Sequence, residues 1–424
     1  MKNTHLAELV RRFQGPVLAA AAVAGAALGF LSWGEGRTPI LAALLPVAVG
    51  ISGSRTRALA LSMGYVLGTM RGLPAFAAAW FDNSLIIGSM LWLLVGLIAG
   101  AAWSLAWTAS EVPWRKALAV AVAWVVTLLP PVAASSPGHA VVAWGYITPG
   151  WGWIGVALSV LVPAAVMAVV TAKRWSMAYV RGAVVGLAGA LAVVSHFHEE
   201  IENRYVNDMV AVSTRWGAAS DPFEMLDRVE RMGKTTRALS EENVASVVVF
   251  PESIVQTYHP TLYPILKEII LDDAAKAGQT VVIGADLPTA DGNFQTAALA
   301  FYPDGSSVTA LTRQPVPIAL WKPWNATGSF LTNWRSSNIL PFRSGIKARV
   351  IFCFEEFMPI LSLLNEALDD HQMVIVLANT WASRSAETAV IQSRHSEGMA
   401  ILFGKRLIKA DNRPKVVKGE PERR

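Results

Sequence analysis

Residues 1–195 carry only 16 charged side chains, 12 basic and 4 acidic, whereas residues 196–424 carry 51, 24 basic and 27 acidic. A chain this uneven cannot place both halves in the same solvent. The first half reads as material for lipid and the second as an ordinary aqueous domain. The first is net +8 and the second net −3, so the overall +5 reports orientation in a bilayer and not nucleic-acid binding. Cys353 is the single cysteine, which excludes a disulfide scaffold and leaves no CxxC or Cys/His cluster for a structural zinc. Neither a metal nor a cofactor is expected.

About 20 apolar residues are needed to cross the hydrocarbon as a helix. Runs of that kind centre on 15–33, 38–53, 57–80, 84–108, 117–135, 151–172 and 178–195, which predicts about seven spans, the 38–53 run being short. A cleaved signal peptide accounts for residues 1–33 alone and not for the runs that follow. Arg71 falls inside the third run, where a charge must face the bundle interior or snorkel to an interface. Every second loop is basic: Lys2, Arg11 and Arg12, then Arg55 and Arg57, Arg115 and Lys116, Lys173 and Arg174. The alternate loops are nearly bare of positive charge. This pattern predicts a cytoplasmic N-terminus in a bacterial inner membrane. An odd span count puts the C-terminal domain in the periplasm, and an even count would reverse it. Small residues at Ala19–Ala27 and Gly186–Ala192 suit close helix packing. Trp144, Tyr146, Trp151 and Trp153 suit an interfacial aromatic belt, with a lipid-facing wall of an active site as the sharper alternative.

From residue 196 short β-branched runs alternate with amphipathic segments. Residues 205–239 read mainly as helix, Ser246–Phe250 as strand, 261–277 as helix and Val281–Ile283 as strand. Further strands are expected at 296–302, Val308–Leu311, Arg349–Phe352 and Met373–Leu377, with a helix at 359–370. The alternation predicts a layered α/β domain at 196–412, after a membrane domain at 1–195 and before a charged tail at 413–424.

Two features in this half carry chemistry. Glu252 ends one apolar strand, and Cys353 ends another with Glu355 and Glu356 just behind it. A thiol attacks a carbonyl as thiolate and needs a base beside it. A carboxylate on a neighbouring strand end fills that role when burial raises its pKa toward neutrality. Considered apart, Cys353 is a small buried hydrophobe and Glu252 a helix-end carboxylate.

Taken together and in order, these residues resemble the carbon–nitrogen hydrolase (nitrilase) superfamily. The similarity is to its membrane-anchored branch, which includes apolipoprotein N-acyltransferase. Phe250-Pro251-Glu252-Ser253 resembles that family's W-P-E-[ST] motif, and Cys353-Phe354-Glu355 with Pro359 its C-Y-E…P motif. Asn379-Thr380-Trp381 is similar to its N-D-x-W turn, and Gln392 with 404–412 to its closing Q…G-R-P-L-L-R-A-T-N run. The resemblance implies an αββα sandwich, Glu252 as general base and Cys353 as nucleophile. Departures are clear: the family's K-x-H-L-V-P-F-G-E segment falls on 312–320, so Thr312 stands at the lysine position, Gln314 at the histidine and Leu320 at the later glutamate. Arg313 and Lys322 are the nearest cations in sequence, and Lys322, between Trp321 and Trp324, is favoured for the role; Glu355 supports the site. The whole design is closer to the plasmid conjugal-transfer family called TraB, which implies a role with the conjugation machinery.

Two functions follow. One is an enzyme in which Cys353 takes an acyl group from an amide or ester and passes it to an amine or water, a phospholipid or lipidated protein being the substrate. The other is a non-catalytic assembly component of a transfer apparatus that keeps the fold. A transporter is disfavoured because the spans lack intramembrane carboxylates.

Overall fold

The computed structural model describes residues 2–172, 205–206, 208–218, 221–242, 244–383 and 386–415, with Ser176, Tyr179, Val180, Gly182 and Gly186. The chain divides into two compact units. The first comprises Met1–Glu200 with Phe357–Ile360 and Val390–Gly404, and the second comprises Ile201–Glu356, Leu361–Ala389 and Lys405–Arg424.

Among the described residues of the first unit, three of the apolar runs contain helices long and apolar enough to cross a membrane: Gly15–Ser32, Leu85–Ala106 and Trp153–Ala172. The first lies in helix α1 (Lys2–Ser32). The short run at 38–53 forms a 3₁₀ turn, Pro39–Leu44, followed by α2 (Leu45–Gly50). The run at 57–80 is not one helix. It breaks at Met70–Gly72 into α3 (Arg55–Thr69) and α4 (Leu73–Ala78), Pro74 fitting the first turn of the second piece. The run at 117–135 ends as α6 (Pro113–Leu128), following α5 (Leu85–Trp103), where Pro130-Pro131 cannot continue it. Next come α7 (Ala140–Ile147) and α8 (Trp153–Ala172); the run at 178–195 lies largely outside the described residues.

Small residues bring α1 and α3 together. A Cβ built on Gly25 would stand 1.8 Å from the Leu61 carbonyl oxygen, and one on Gly64 2.1 Å from that of Ala22. Only glycine permits this approach. Arg71, just past α3, donates to the carbonyls of Trp33 at 2.8 Å and Gly68 at 3.0 Å, and its guanidinium covers the Phe30 ring. The late segment 390–404 adds His395, which stacks on Trp33 at 4.3 Å and accepts from the Gly138 N–H at 2.7 Å.

The second unit holds two sheets. The first has strand order β1 (Tyr205–Val206), β2 (Met209–Ala211), β3 (Val247–Val249), β4 (Thr280–Pro288), β5 (Phe294–Phe301) and β6 (Ser307–Leu311). The second has order β10 (Arg406–Asp411), β9 (Met373–Ala378), β8 (Lys347–Phe352) and β7 (Ile339–Pro341). The neighbours β2/β3, β3/β4, β8/β9 and β9/β10 are parallel. Each parallel pair needs a crossover. Helices α9 (Pro222–Glu241), α11 (Pro359–Leu368) and α12 (Ala386–Leu402) lie in three of those crossovers. In the fourth a helical stretch at 262–276, here α10, carries a π turn at Lys267–Leu271.

One face of each sheet closes on the other. Val247, Val249, Val282 and Ala298 share a buried cluster with Val350, Phe352, Ile375, Leu377 and Ile408. The opposite face of the first sheet packs against Val229 and Met232 of α9 and Leu266 and Ile270 of α10. Behind the second sheet, Arg349 of β8 donates to the Ser362 carbonyl of α11 at 3.2 Å. The layering is therefore helix, sheet, sheet, helix. Residues 205–211, expected to be helical, form the hairpin β1–β2 instead, turning at Asp208 with φ +62°. Val210 favours the extended state, and pairing of β2 with β3 decides it.

Candidate active site

The segment after β3 is held against β4 by backbone pairing: Phe250 N–H donates to Val282 at 2.8 Å and Ile254 N–H to Gly284 at 3.0 Å. A Cβ on Gly284 would stand 2.2 Å from the Pro251 oxygen, so glycine is required for the Pro251-Glu252 peptide to lie there. Ser253 follows at φ +46°, a costly conformation for a residue with a Cβ. Its hydroxyl donates to Asp286 at 2.7 Å, and Thr296 donates to the same oxygen at 3.1 Å. This anchor aims Glu252 inward, where it is only 9% exposed.

Cys353 ends β8 and opens a 3₁₀ turn, Cys353–Phe357. Its thiol donates to the Asn379 carbonyl oxygen at 3.9 Å, and it is among the groups that act on the Glu252 carboxyl. Burial first, and then the nearby Asp286 carboxylate, hold Glu252 well above the usual carboxylate range; the thiol hydrogen bond, Glu355 and Glu356 act after these, the first lowering and the others raising it. A buried thiol beside a carboxyl whose proton affinity is raised is the arrangement that general-base activation requires.

Glu355 points elsewhere and ties the turn to the end of β6. One oxygen accepts from Thr312 Oγ1 at 2.9 Å, Arg313 N–H at 2.5 Å and Gln314 N–H at 3.0 Å, and the other from Phe352 N–H at 3.0 Å. Burial raises its pKa and these four donors oppose the rise. Thr312, standing at the lysine position of the resemblance, is thus a buried hydroxyl bonded to Glu355.

Neither cation nominated from sequence meets the Cys353–Glu252 pair. Arg313 turns its guanidinium to the Ser336 carbonyl at 3.0 Å and Asp369 at 3.3 Å. Lys322 is half-buried in the loop after β6, with its backbone N–H on Ser329 Oγ at 2.9 Å, and its ammonium makes no hydrogen bond or ion pair among the described residues. A different cation, Lys409 of β10, reaches the turn that Cys353 opens: its ammonium lies 2.8 Å from Glu356 Oε1. Burial alone would lower that ammonium, but Glu356, Asp411 and Cys353 outweigh it and hold it above the ordinary lysine range. Asp286 and Lys409 were both missed. The available signal was each one's position as a charge inside an apolar strand, between Ala285 and Leu287 and between Ile408 and Ala410.

Further polar ties hold the strand ends. Asp411 accepts from Thr380 Oγ1 at 2.9 Å, and Asn412 donates to Asn379 Oδ1 at 3.0 Å and to Gly217 O at 2.8 Å. The Asn379-Thr380 and Asp411-Asn412 motifs therefore lock the ends of β9 and β10 together.

Asp286 supplies a test of this electrostatic layout. Burial pushes its carboxyl up to about 6 against the pull of its two hydroxyl donors. A raised folded-state pKa means the native state binds more protons than the unfolded chain, so the Asp286 contribution is present at low pH and is lost as pH rises from about 4 to about 6. Asp286→Asn, which still accepts from Ser253, is expected to remove a pH-dependent component on the order of 3 kcal/mol from thermal or denaturant unfolding. An unchanged slope between those pH values would show that Asp286 does not carry it.

No family model matches the chain. It is 26% identical over 408 residues to a protein described as probable conjugal transfer protein TraB of Sinorhizobium fredii (strain NBRC 101917 / NGR234), covering 92% of this chain and 97% of that one. It is 24% identical over 402 residues to conjugal transfer protein TraB of Agrobacterium fabrum (strain C58 / ATCC 33970), covering 91% and 90%. Among solved structures it is similar to an amidase of the nitrilase superfamily from Nesterenkonia AN1, at 16% identity and TM-score 0.35 over 48% of this chain and 75% of that chain. A further structure of an amidase from Nesterenkonia sp. aligns at 17% identity, TM-score 0.35, over 48% and 74%.

Proposed function

We propose that this protein is a membrane-embedded, cysteine-dependent acyl-transfer or amide/ester-cleaving enzyme that serves plasmid conjugal transfer. One observation carries the reading: the only thiol of the chain, at the end of β8, acts on a buried carboxyl, Glu252, whose proton affinity is raised by burial. In the reaction, the Cys353 proton passes to the Glu252 carboxylate as sulfur attacks the carbonyl carbon. The C–N or C–O bond then breaks, Glu252 returns the proton to the leaving amine or alcohol, and the acyl group stays on sulfur as a thioester. An amine or water releases it in a second, reverse sequence.

The conjugation role is supported by two relatives that carry that description and align over nearly their whole length. Three helices of spanning length support a membrane location, and the alternating basic loops support a cytoplasmic N-terminus with the second unit in the periplasm. A phospholipid or lipidated protein is the substrate class such a location favours, with conjugation proteins as partners.

The test is acyl-enzyme trapping. Full-length protein in mixed vesicles of phosphatidylethanolamine and phosphatidylglycerol is quenched in acid, and the Cys353 peptide is weighed. A hydroxylamine-labile acyl mass on Cys353, absent from Cys353→Ala, is expected. If folded protein shows no adduct with phospholipid, lipopeptide or simple amide, the enzyme reading fails and the assembly-component reading takes its place.

A further inference from the structure

Thioester chemistry at Cys353 moves negative charge. Before attack it sits on Glu252; once the thiol proton has crossed to that carboxylate, it sits on sulfur. The net charge of the pair is unchanged, and only its position shifts. That shift takes the charge away from Asp286, which opposes it at Glu252. A buried anion on sulfur then needs a positive partner.

Strand register supplies one. Lys409 stands opposite Val376 of β9, and Val376 opposite Ile351 of β8, two residues before Cys353. The turn that begins at Cys353 carries Glu356, whose fully buried carboxylate holds the Lys409 ammonium at 2.8 Å. Lysine and cysteine are therefore tied to one turn from the two strands that flank β9, and the sulfur is among the groups that raise the ammonium's proton affinity. The other two candidate cations are directed elsewhere or unengaged, as described above.

We propose that Lys409, fixed by Glu356, is the cation that stabilises the Cys353 thiolate, replacing by way of the last strand the lysine absent at Thr312. This rests on the reading of Cys353 as a nucleophile. The plainer account is that Lys409 only neutralises Glu356, and the two accounts part in the double variant. Lys409→Met alone leaves Glu356 buried without its partner, a change that can compromise folding by itself. Lys409→Met combined with Glu356→Gln removes both charges and keeps the shapes.

The experiment measures the rate of Cys353 alkylation by iodoacetamide against pH in the full-length protein, read by intact mass. With one cysteine in the chain, each alkylation event reports on that site. In the double variant the thiolate limb is expected to move up by about one pH unit, making alkylation at neutral pH about tenfold slower than wild type. Lys409→Arg should stay within about threefold of wild type, because it keeps the charge. A double variant whose profile superimposes on wild type overturns the proposal, as does a shift seen in Lys409→Met but absent from the double. The alkylation assay needs no substrate. If the shift appears while no acyl-enzyme forms with any donor, the enzymatic reading falls and the lysine–thiolate pairing stands.

Discussion

Glu252→Gln is expected to slow acylation of Cys353 by roughly 10²–10⁴-fold. The amide keeps the side chain's size and can still accept from the thiol, so the segment anchored by Gly284 and Asp286 should hold its place. What it cannot do is take the proton. Two features make the expected loss large. Cys353 is 7% exposed, so bulk water is a poor substitute base, and the carboxyl is buried among other acids that raise its proton affinity. The pH dependence has a definite sign. The base works deprotonated, so wild-type acylation should rise with pH through the raised Glu252 value and then level, and the glutamine variant should lose that limb. Single-turnover acylation rates across pH check both points. Equal rates in the two proteins would return Glu252 to the role of a structural carboxylate.

Glu355→Ala carries the second large effect, on folding and not on chemistry. Its two oxygens satisfy four donors: Thr312 Oγ1 and the N–H groups of Arg313, Gln314 and Phe352. Removing the carboxylate strands them in a region where Glu355 and Thr312 are 3% and 2% exposed. Each unsatisfied buried donor costs about 1–3 kcal/mol, so the total, on the order of 4 kcal/mol or more, approaches the whole stability of a typical domain. Glu355→Gln should fall between, since its amide offers one accepting oxygen and must present N–H to the remaining donor. Loss of folded yield and a lower unfolding temperature, graded alanine below glutamine below wild type, is the expected series. A wild-type melting profile for the alanine variant would mean that water replaces the carboxylate.

The resemblance named both Glu252 and Cys353, and the residues around them explain why sequence could reach them. Each follows a short apolar strand, Val247–Val249 or Lys347–Phe352, and strand ends are readable from period and punctuation. The helix at 359–370 and the strand at 373–377 came from the same signals and appear as Pro359–Leu368 and Met373–Ala378. Local pattern failed where a partner decided the outcome. Met209–Ala211 are extended because β3 offers a parallel neighbour, and that pairing spans a 20-residue helix. The apolar run at 57–80 reads as one span with Arg71 inside it, yet its helix stops at Met70, where Arg71 reaches back to the Trp33 carbonyl, 38 residues upstream. Lys409 lies within the 404–412 motif, yet nothing near it in sequence marks its role. Its partner Glu356 is 53 residues earlier, and only a register two strands wide brings them together. Sequence neighbours of Thr312 offer Arg313 and Lys322, whereas the sheet brings Lys409 in across its strands.

The return of residues 390–404 to the first unit sets an order of events during synthesis. The ribosome delivers the chain from the N-terminus, so the early helices exist long before His395, which stacks on Trp33 and accepts from the Gly138 amide 257 residues upstream. Until then the first unit has an open seat, and its closure carries the loop entropy of a very long-range contact. The first unit is therefore completed only after β9 has been made, when the helix that leads to β10 emerges. A chain severed near residue 200 is not two domains but one incomplete piece and one piece holding part of its neighbour. Gene fusions, truncations and circular permutations of this protein have to respect that late stitch.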